Sequence, residues 1–411
     1  MSDPALAAQY EAYPYPARDP RDEKKRLITG SPSRLAEIDH YLFQGRLDLG
    51  RPFRALIAGG GTGDAIVMLA QQLKDAGAEQ AEVVYLDLSR ASRAIAEERI
   101  ATRGLTNVRF ETGSLLELEG LGLGSFDYID CCGVLHHLKD PDAGLAALAA
   151  ALQPEGGLGV MVYAPFGRSG VYELQDALRC LGQGMALPER VSLTKRLLTG
   201  LPETNRLKRN PFLRDHRRSD AELVDLLLHA RDRAYSVPAF LALVEGAGLH
   251  LASFIEPLRY EPAGLTADAE LRRRFSTLDA ATRATLAEQL AGNHSRHIAY
   301  LSRRAHSVAR IEGPESVPVL IELEADALAK TVLKDLTVKG DFDGLPFRLP
   351  LPRLAPLILR QIDGRRSLGE IHAILSETDS ALAWDDFLAA FCALLTALGG
   401  LNRLLLRNPS N

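Results

Sequence analysis

The sequence predicts an α/β fold built on a doubly wound parallel sheet, and three observations carry that prediction. Short apolar segments alternate with amphipathic ones from Phe53 to Tyr163, at the lengths of strands and helices. A glycine-rich turn, GGGTG at 59–63, joins the first apolar segment to the first amphipathic one. A carboxylate, Asp87, closes the second apolar segment 24 residues beyond Gly63. Such a sheet binds its ligands at the carboxyl ends of the strands.

The elements follow in order. Phe53–Ala58 reads as a strand and Ala65–Leu73 as a helix. AEVVYLDLS, residues 81–89, is a second strand, and ASRAIAEERIATRG after it a helix. NVRFETGSLLEL, 107–118, supplies a third strand and loop; FDYIDCCGVLHHLKDP, 126–141, supplies a fourth strand and its exit. LAALAAALQPEGGLGVMVYAP, 145–165, reads as a helix, a Pro/Gly turn and a fifth strand. SVPAFLALVEGAGLHLASFIEP, 236–257, adds a helix and a sixth strand, and HIAYLSRR, 297–304, a seventh.

Glycine at a strand-to-helix turn permits dihedrals closed to other residues and lets a ligand lie on the main chain. The dinucleotide fingerprint G-x-G-x-x-G fits neither register here, because its third place is Asp64 in one and its first place is Ala58 in the other. The spacing that fits is G-x-G-x-G, Gly59, Gly61 and Gly63, followed by Asp64. An acid at a helix start suits the macrodipole but repels a pyrophosphate, so a ligand without phosphate is favoured. Asp87, at the end of the second strand, is placed to accept hydrogen bonds from ribose hydroxyls.

These residues resemble the class I S-adenosylmethionine-dependent methyltransferases. The resemblance rests on GGGTG for the methionine turn, Asp87 in YLDLS for the ribose, the FDYIDCCGVLHHL strand exit, and LQPEGGLGVMVY leading into the fifth strand. It implies a Rossmann-like, seven-stranded sheet whose last strand enters antiparallel between the fifth and sixth, with S-adenosyl-L-methionine as cofactor. By the same resemblance Gly59, Gly60, Gly61, Gly63, Asp64, Asp87 and Leu88 border the cofactor, Gly113, Ser114 and Leu115 its adenine, and Cys131, Cys132 and Gly133 the methionine amino group. Two departures stand out: Ile57 occupies the place where the family usually has an acid, and Ser114 stands in the adenine loop where it often has another.

Composition narrows the class. At 411 residues the chain exceeds one ordinary domain, and 46% hydrophobic residues suffice for a core. No apolar run approaches the roughly 20 residues of a membrane helix, and the N-terminus does not read as a secretory signal. A net charge of −5 predicts no general affinity for nucleic acid. Four cysteines, Cys131, Cys132, Cys180 and Cys392, lack metal-ligand spacing and suggest a reducing, cytoplasmic setting.

The domain reading is an N-terminal arm and capping helix over 1–48, a catalytic domain over 49–305 and an accessory domain over 311–411. Helical insertions at about 167–235 and 259–293 are expected to form a lid. Residues 190–218 carry nine Lys or Arg against two acids, either as a solvated helix pair or as a surface for an acidic partner. His229, Asp232, Arg233 and Tyr235 in LLLHARDRAYSV form either a substrate-orienting, proton-removing cluster or ordinary caps and ion pairs. In the arm, YEAYPYPARDP is expected to be extended. Many members of the family close the cofactor site in this way, and Tyr13 and Tyr15 would then cover the sulfonium; the alternative is a tail.

His136 and His137 sit at the exit of the fourth strand, where one of them can face the methyl group. The catalytic candidates are therefore His136, His137, His229 and Tyr235. From Ile311 onward, three short amphipathic helices, a turn at Asp363–Gly364 and a final apolar strand look like a winged-helix domain with an interaction, regulatory or dimerising role. The whole organisation is similar to bacterial methyltransferases with a regulatory domain, some of them protein-lysine methyltransferases. The expected activity is methyl transfer to an N or O acceptor, leaning to a protein or peptide. The alternatives are a small-molecule methyltransferase, a non-catalytic binding module, or a nicotinamide dehydrogenase, against which Asp64 speaks.

Overall fold

The computed structural model describes residues 4–213 and 217–409. Seven strands form one sheet: β1 (Phe53–Ala58), β2 (Ala81–Asp87), β3 (Val108–Thr112), β4 (Phe126–Cys132), β5 (Leu152–Tyr163), β6 (His250–Phe254) and β7 (Arg296–Ser302), in the order β3-β2-β1-β4-β5-β7-β6. The first five are parallel, and β7 pairs antiparallel with β6. This is the α/β, Rossmann-like architecture the sequence predicts, including the antiparallel seventh strand.

The chain packs as two units, each with its own core. The first holds residues up to 34, 49–249 and 292–298. Its helices begin where the sequence places capping groups: Ser89 Oγ accepts from the Ser92 N–H ahead of Arg90–Arg103, and Asp140 accepts from the Ala143 N–H ahead of Pro141–Ala150, whose first residue is a proline that needs no amide partner. The Pro/Gly segment expected to be a turn before β5 runs instead within the strand. Leu152 pairs with Phe126 and Gly157 with Tyr128, so the chain bulges between them. Gly156 permits this, because a Cβ there would lie 2.8 Å from the Asp127 carbonyl oxygen.

The first insertion is helical, as expected: Val171–Leu181, Leu187–Gly200, Arg206–Arg209 and Asp220–Leu227 gather an apolar cluster that includes Leu174, Leu178, Val191, Leu207, Leu223 and Leu227. Its basic stretch is partly neutralised from nearby. Lys195 meets Asp220 at 2.5 Å, Arg206 meets Glu173 at 3.0 Å and Lys208 meets Glu203 at 2.6 Å. Arg214, Asp215 and His216 of that stretch lie outside the described residues. The arm also differs from the extended form expected of residues 10–20, since Tyr10–Ala12 close a helix, Pro4–Ala12. PALAAQYEA is rich in alanine, whose helix preference outweighs the prolines that follow.

The second unit comprises 35–48, 250–291 and 299–411. Within it the helix Leu35–Leu42 is fastened by buried polar groups: Tyr300 donates to Glu37 at 3.0 Å, Asn402 Nδ2 donates to Glu37 at 2.9 Å, and Tyr41 donates to Asn402 Oδ1 at 2.9 Å. Its C-terminal part joins the helices Ala355–Gln361, Leu368–Thr378 and Trp384–Gly400 to a strand pair, β8 (Val317–Leu320) with β11 (Leu404–Arg407), and to a hairpin, β9 (Thr337–Phe342) and β10 (Leu345–Pro350). The hairpin was legible as Asp343–Gly344, a two-residue turn with both φ positive, at 51° and 86°.

The only tryptophan of the chain, Trp384, packs on Phe387 in this cluster. Phe391, fully buried beside them in sequence, is expected to cost about 3–5 kcal/mol when replaced by alanine. Denaturant titration followed by Trp384 fluorescence should show the midpoint fall accordingly.

Candidate active site

At the carboxyl ends of β1, β2, β4 and β5 lies a cavity of about 510 Å³. One side of it is the glycine turn. Asp87 holds that turn to β2, because one of its carboxylate oxygens accepts the Gly61 N–H at 2.8 Å and the other the Ser89 N–H at 2.8 Å. Two further lone-pair positions of the carboxylate remain for a ligand. Burial pushes the Asp87 carboxyl up, and the backbone donors oppose this. Gly61 adopts φ +50°, and the Tyr85 hydroxyl donates to its carbonyl at 2.7 Å.

The arm lies on this turn. Tyr15 O accepts the Thr62 N–H at 3.3 Å, Pro16 O accepts the Thr62 hydroxyl at 2.7 Å, and a Cβ on Gly61 would come within 2.7 Å of Tyr15 O. Asp64 fastens the arm by charge. Arg18 reaches it at 2.6 Å, and Arg99, almost wholly buried, reaches it at 2.7 Å while also bonding Glu23 at 2.8 Å. Burial alone would raise the Asp64 carboxyl; the Arg18 hydrogen bonds, then the charges of Arg18 and Arg99, override this and hold it below its ordinary value.

The opposite wall is polar and buried. Tyr163, ending β5, donates to Asp225 at 3.0 Å, and the Tyr10 hydroxyl stands 3.5 Å from the other Asp225 oxygen and 3.1 Å from His229 Nε2. One residue's backbone sets two tautomers. The Arg231 N–H donates to His229 Nδ1 at 3.0 Å, which leaves the His229 proton on Nε2; the Arg231 carbonyl, 2.8 Å from His137 Nδ1, accepts from it and leaves His137 Nε2 as the basic nitrogen. The two imidazoles stack with centroids 3.7 Å apart. Behind them Arg168 pairs with Asp232 at 2.7 Å and lies 3.6 Å above the Tyr163 ring.

Of the residues singled out from the sequence, the structure brings Tyr15, Gly59, Gly60, Gly61, Asp64, Asp87, Leu88, Gly113, Ser114, Leu115, Cys132, Gly133 and His137 to the cavity wall. Gly63 and Cys131 stand behind it. A Cβ on Gly63 would come within 2.8 Å of the Ala96 Cβ, so that glycine serves helix packing, and Cys131 is wholly buried in β4. Tyr13 packs on the apolar cluster of the first insertion. His136 is buried with neither ring nitrogen hydrogen-bonded among the described residues, and Tyr235 pairs its backbone with Tyr163. His229 stands behind His137.

Residues that the sequence reading did not assign also line the wall: Tyr10, Asp130, Tyr163, Arg218, Glu222, Asp225 and Arg296. Asp130 was legible in principle. It stands at the exit of β4, directly opposite Ile57 in the β1–β4 register.

Comparison with known proteins decides the family. A model described as a methyltransferase domain matches residues 56–158. An uncharacterised protein of Synechococcus sp. is 34% identical over 300 residues, which span 70% of this chain and 68% of that protein. The chain belongs to the class I S-adenosylmethionine-dependent methyltransferases. The methyltransferase also shares its fold with PKMT2 from Rickettsia typhi, at TM-score 0.61 and 17% identity, covering 93% of this chain and 76% of that one. The same protein in complex with AdoHcy matches at TM-score 0.60 and 16% identity, over 90% and 74% of the two chains.

In the methyltransferase, the seat of the arm depends on the missing side chain at Gly61. Gly61→Ala is expected to lift Tyr15 from the turn and speed proteolytic cleavage within the first 20 residues by tenfold or more. Limited proteolysis with mass-spectrometric mapping measures this, and the core fragment should stay intact.

Proposed function

We propose that the methyltransferase transfers the methyl group of S-adenosylmethionine to an amine of a protein or peptide, with lysine as the leading candidate. The observation that carries this reading is the cavity lining, which combines the carboxylates Glu222 and Asp225 with Tyr10, Tyr15 and Tyr163. Acidic groups and aromatic faces complement an ammonium group. The fold shared with PKMT2 extends over 93% of this chain and so includes its C-terminal part, which supports the same reading.

Cofactor roles follow from position. Asp87, with two lone-pair positions left after bonding Gly61 and Ser89, receives the ribose hydroxyls, and Gly113–Leu115 border the adenine. Asp130 supplies the acid that position 57 lacks. Paired positions of adjacent parallel strands face the same side of the sheet, and Asp130 is the partner of Ile57. Its carboxylate accepts from Ser33 Oγ and from the Cys132 N–H at 3.1 Å, and is pushed up to about 6 by burial. The methionine amino group is its proposed counter-ion.

The cofactor supplies an electrophilic methyl on a sulfonium; the chain's residues align the nucleophile and keep water out. The arm contributes Tyr10, Tyr15 and Pro16 to that enclosure.

Three measurements test the reading. Incubation with methyl-labelled cofactor and a host lysate should place label in the protein fraction, recovered after acid hydrolysis as N-methyl amino acid; label confined to lipid, RNA or small molecules refutes it. Asp87→Ala should lower cofactor affinity at least 30-fold in calorimetric titration, and Asp130→Asn about tenfold. Deletion of residues 1–20 should weaken cofactor binding by roughly 1–3 kcal/mol, the scale of one or two aromatic–cation contacts with their buried area.

A further inference from the structure

Resting on the amine reading above, we propose that Asp225, held by Tyr10 and Tyr163, is the ammonium subsite of the methyltransferase: it binds the acceptor's protonated amine and takes its proton before methyl transfer. Asp225 is a buried carboxylate on the cavity wall. Its two hydrogen-bond partners are neutral hydroxyls, and no cation pairs with it among the described residues. Its neighbour Asp232 is different, because Arg168 neutralises it at 2.7 Å. A buried carboxylate without a fixed counter-ion is costly when charged, and a cationic ligand removes that cost.

The groups facing Asp225 narrow the choice of base. Tyr163 comes from β5, Tyr10 from the N-terminal helix, and His137 and His229 complete the cluster, with Asp232 and Arg168 acting at longer range. His229 has both ring nitrogens engaged, by Arg231 and by Tyr10. His137 Nε2 has no hydrogen-bond partner among the described residues, but burial pushes its imidazole down to about 3, too weak a base to hold a proton at neutral pH. Burial pushes Asp225 the other way, up to about 7, while the Tyr163 hydrogen bond opposes the rise. The carboxylate therefore matches the pH at which proton transfer is needed.

The step balances without a further reactant. An N–H bond of R–NH₃⁺ breaks, its proton passes to an Asp225 oxygen, and the electron pair stays on nitrogen. That pair forms the N–CH₃ bond as the S–CH₃ bond breaks, with the sulfur keeping the bonding electrons. The products are the methylated ammonium, S-adenosylhomocysteine and the protonated Asp225 carboxyl, which loses its proton to solvent as the products leave.

The test uses the full chain, with labelled cofactor and the protein fraction of a host lysate as the acceptor pool. In the wild type, initial rates at limiting acceptor should rise with pH through a limb near 7, because only the ionised carboxylate accepts the proton. Asp225→Asn should lower the rate at least 30-fold and abolish the limb, with cofactor affinity unchanged within threefold as the check on folding. Tyr163→Phe removes a donor that favours the carboxylate, so it should move the limb to higher pH. Asp225→Asn activity within threefold of wild type, or a limb that persists in that variant, overturns the subsite. Absence of label from wild-type reactions, or label recovered as a methyl ester or ether, overturns instead the amine reading beneath it.

Discussion

The Asp87 carboxylate bonded to the Gly61 amide is the constraint on which the site depends. It ties the carboxyl end of β2 to the turn leaving β1, so the glycine backbone keeps one shape with no side chain to brace it. That shape in turn creates the seat for the arm, since Thr62 can reach Tyr15 and Pro16 only if Gly61 presents a bare Cα. The arm then carries Tyr10 to Asp225 and Tyr15 to the cavity. A hydrogen bond of ordinary strength thus organises both walls, because each later contact presupposes it.

Charge is distributed to match. Asp64, which the sequence reading placed beside the ligand, is engaged by Arg18 and Arg99 and acts as the fastening of the arm. Arg99 joins it to Glu23 in a buried cluster in which the carboxylates face guanidinium groups. On the other wall the pattern is reversed. Asp232 is neutralised and recessed, while Asp225 and Glu222 reach the cavity. On the side of the glycine turn the carboxylate of Asp64 faces fixed cations, whereas on the opposite wall Asp225 accepts from the hydroxyls of Tyr163 and Tyr10.

Much of the catalytic fold was legible because its signals are local. Strand and helix segments announce themselves by periodicity, the turn by consecutive glycines, and Asp87 by its place at a strand end. Asp225 was not legible, because DAELVDLL reads as an ordinary amphipathic helix and nothing in it shows that a tyrosine 62 residues earlier will donate to it. His136 and His137 are neighbours in sequence, yet only His137 reaches the cavity, since a tight helical turn, Leu135–His137, sends successive side chains in different directions. The β9–β10 hairpin is local in the same way, since Asp343–Gly344 is a two-residue turn with both φ positive.

The sequence by itself determined the sheet, the glycine turn, the carboxylate of Asp87 at the end of β2 and the family, because each is written in a short run of residues with a physical reason for that run. Tertiary structure alone decided which acids are neutralised, which tyrosines meet, and that Asp130 stands beside Ile57. Those depend on strand register and on contacts between residues far apart in the chain, such as Tyr10 with His229, 219 positions away. Periodicity records which face of an element is buried, and it carries no information on the partner that covers it.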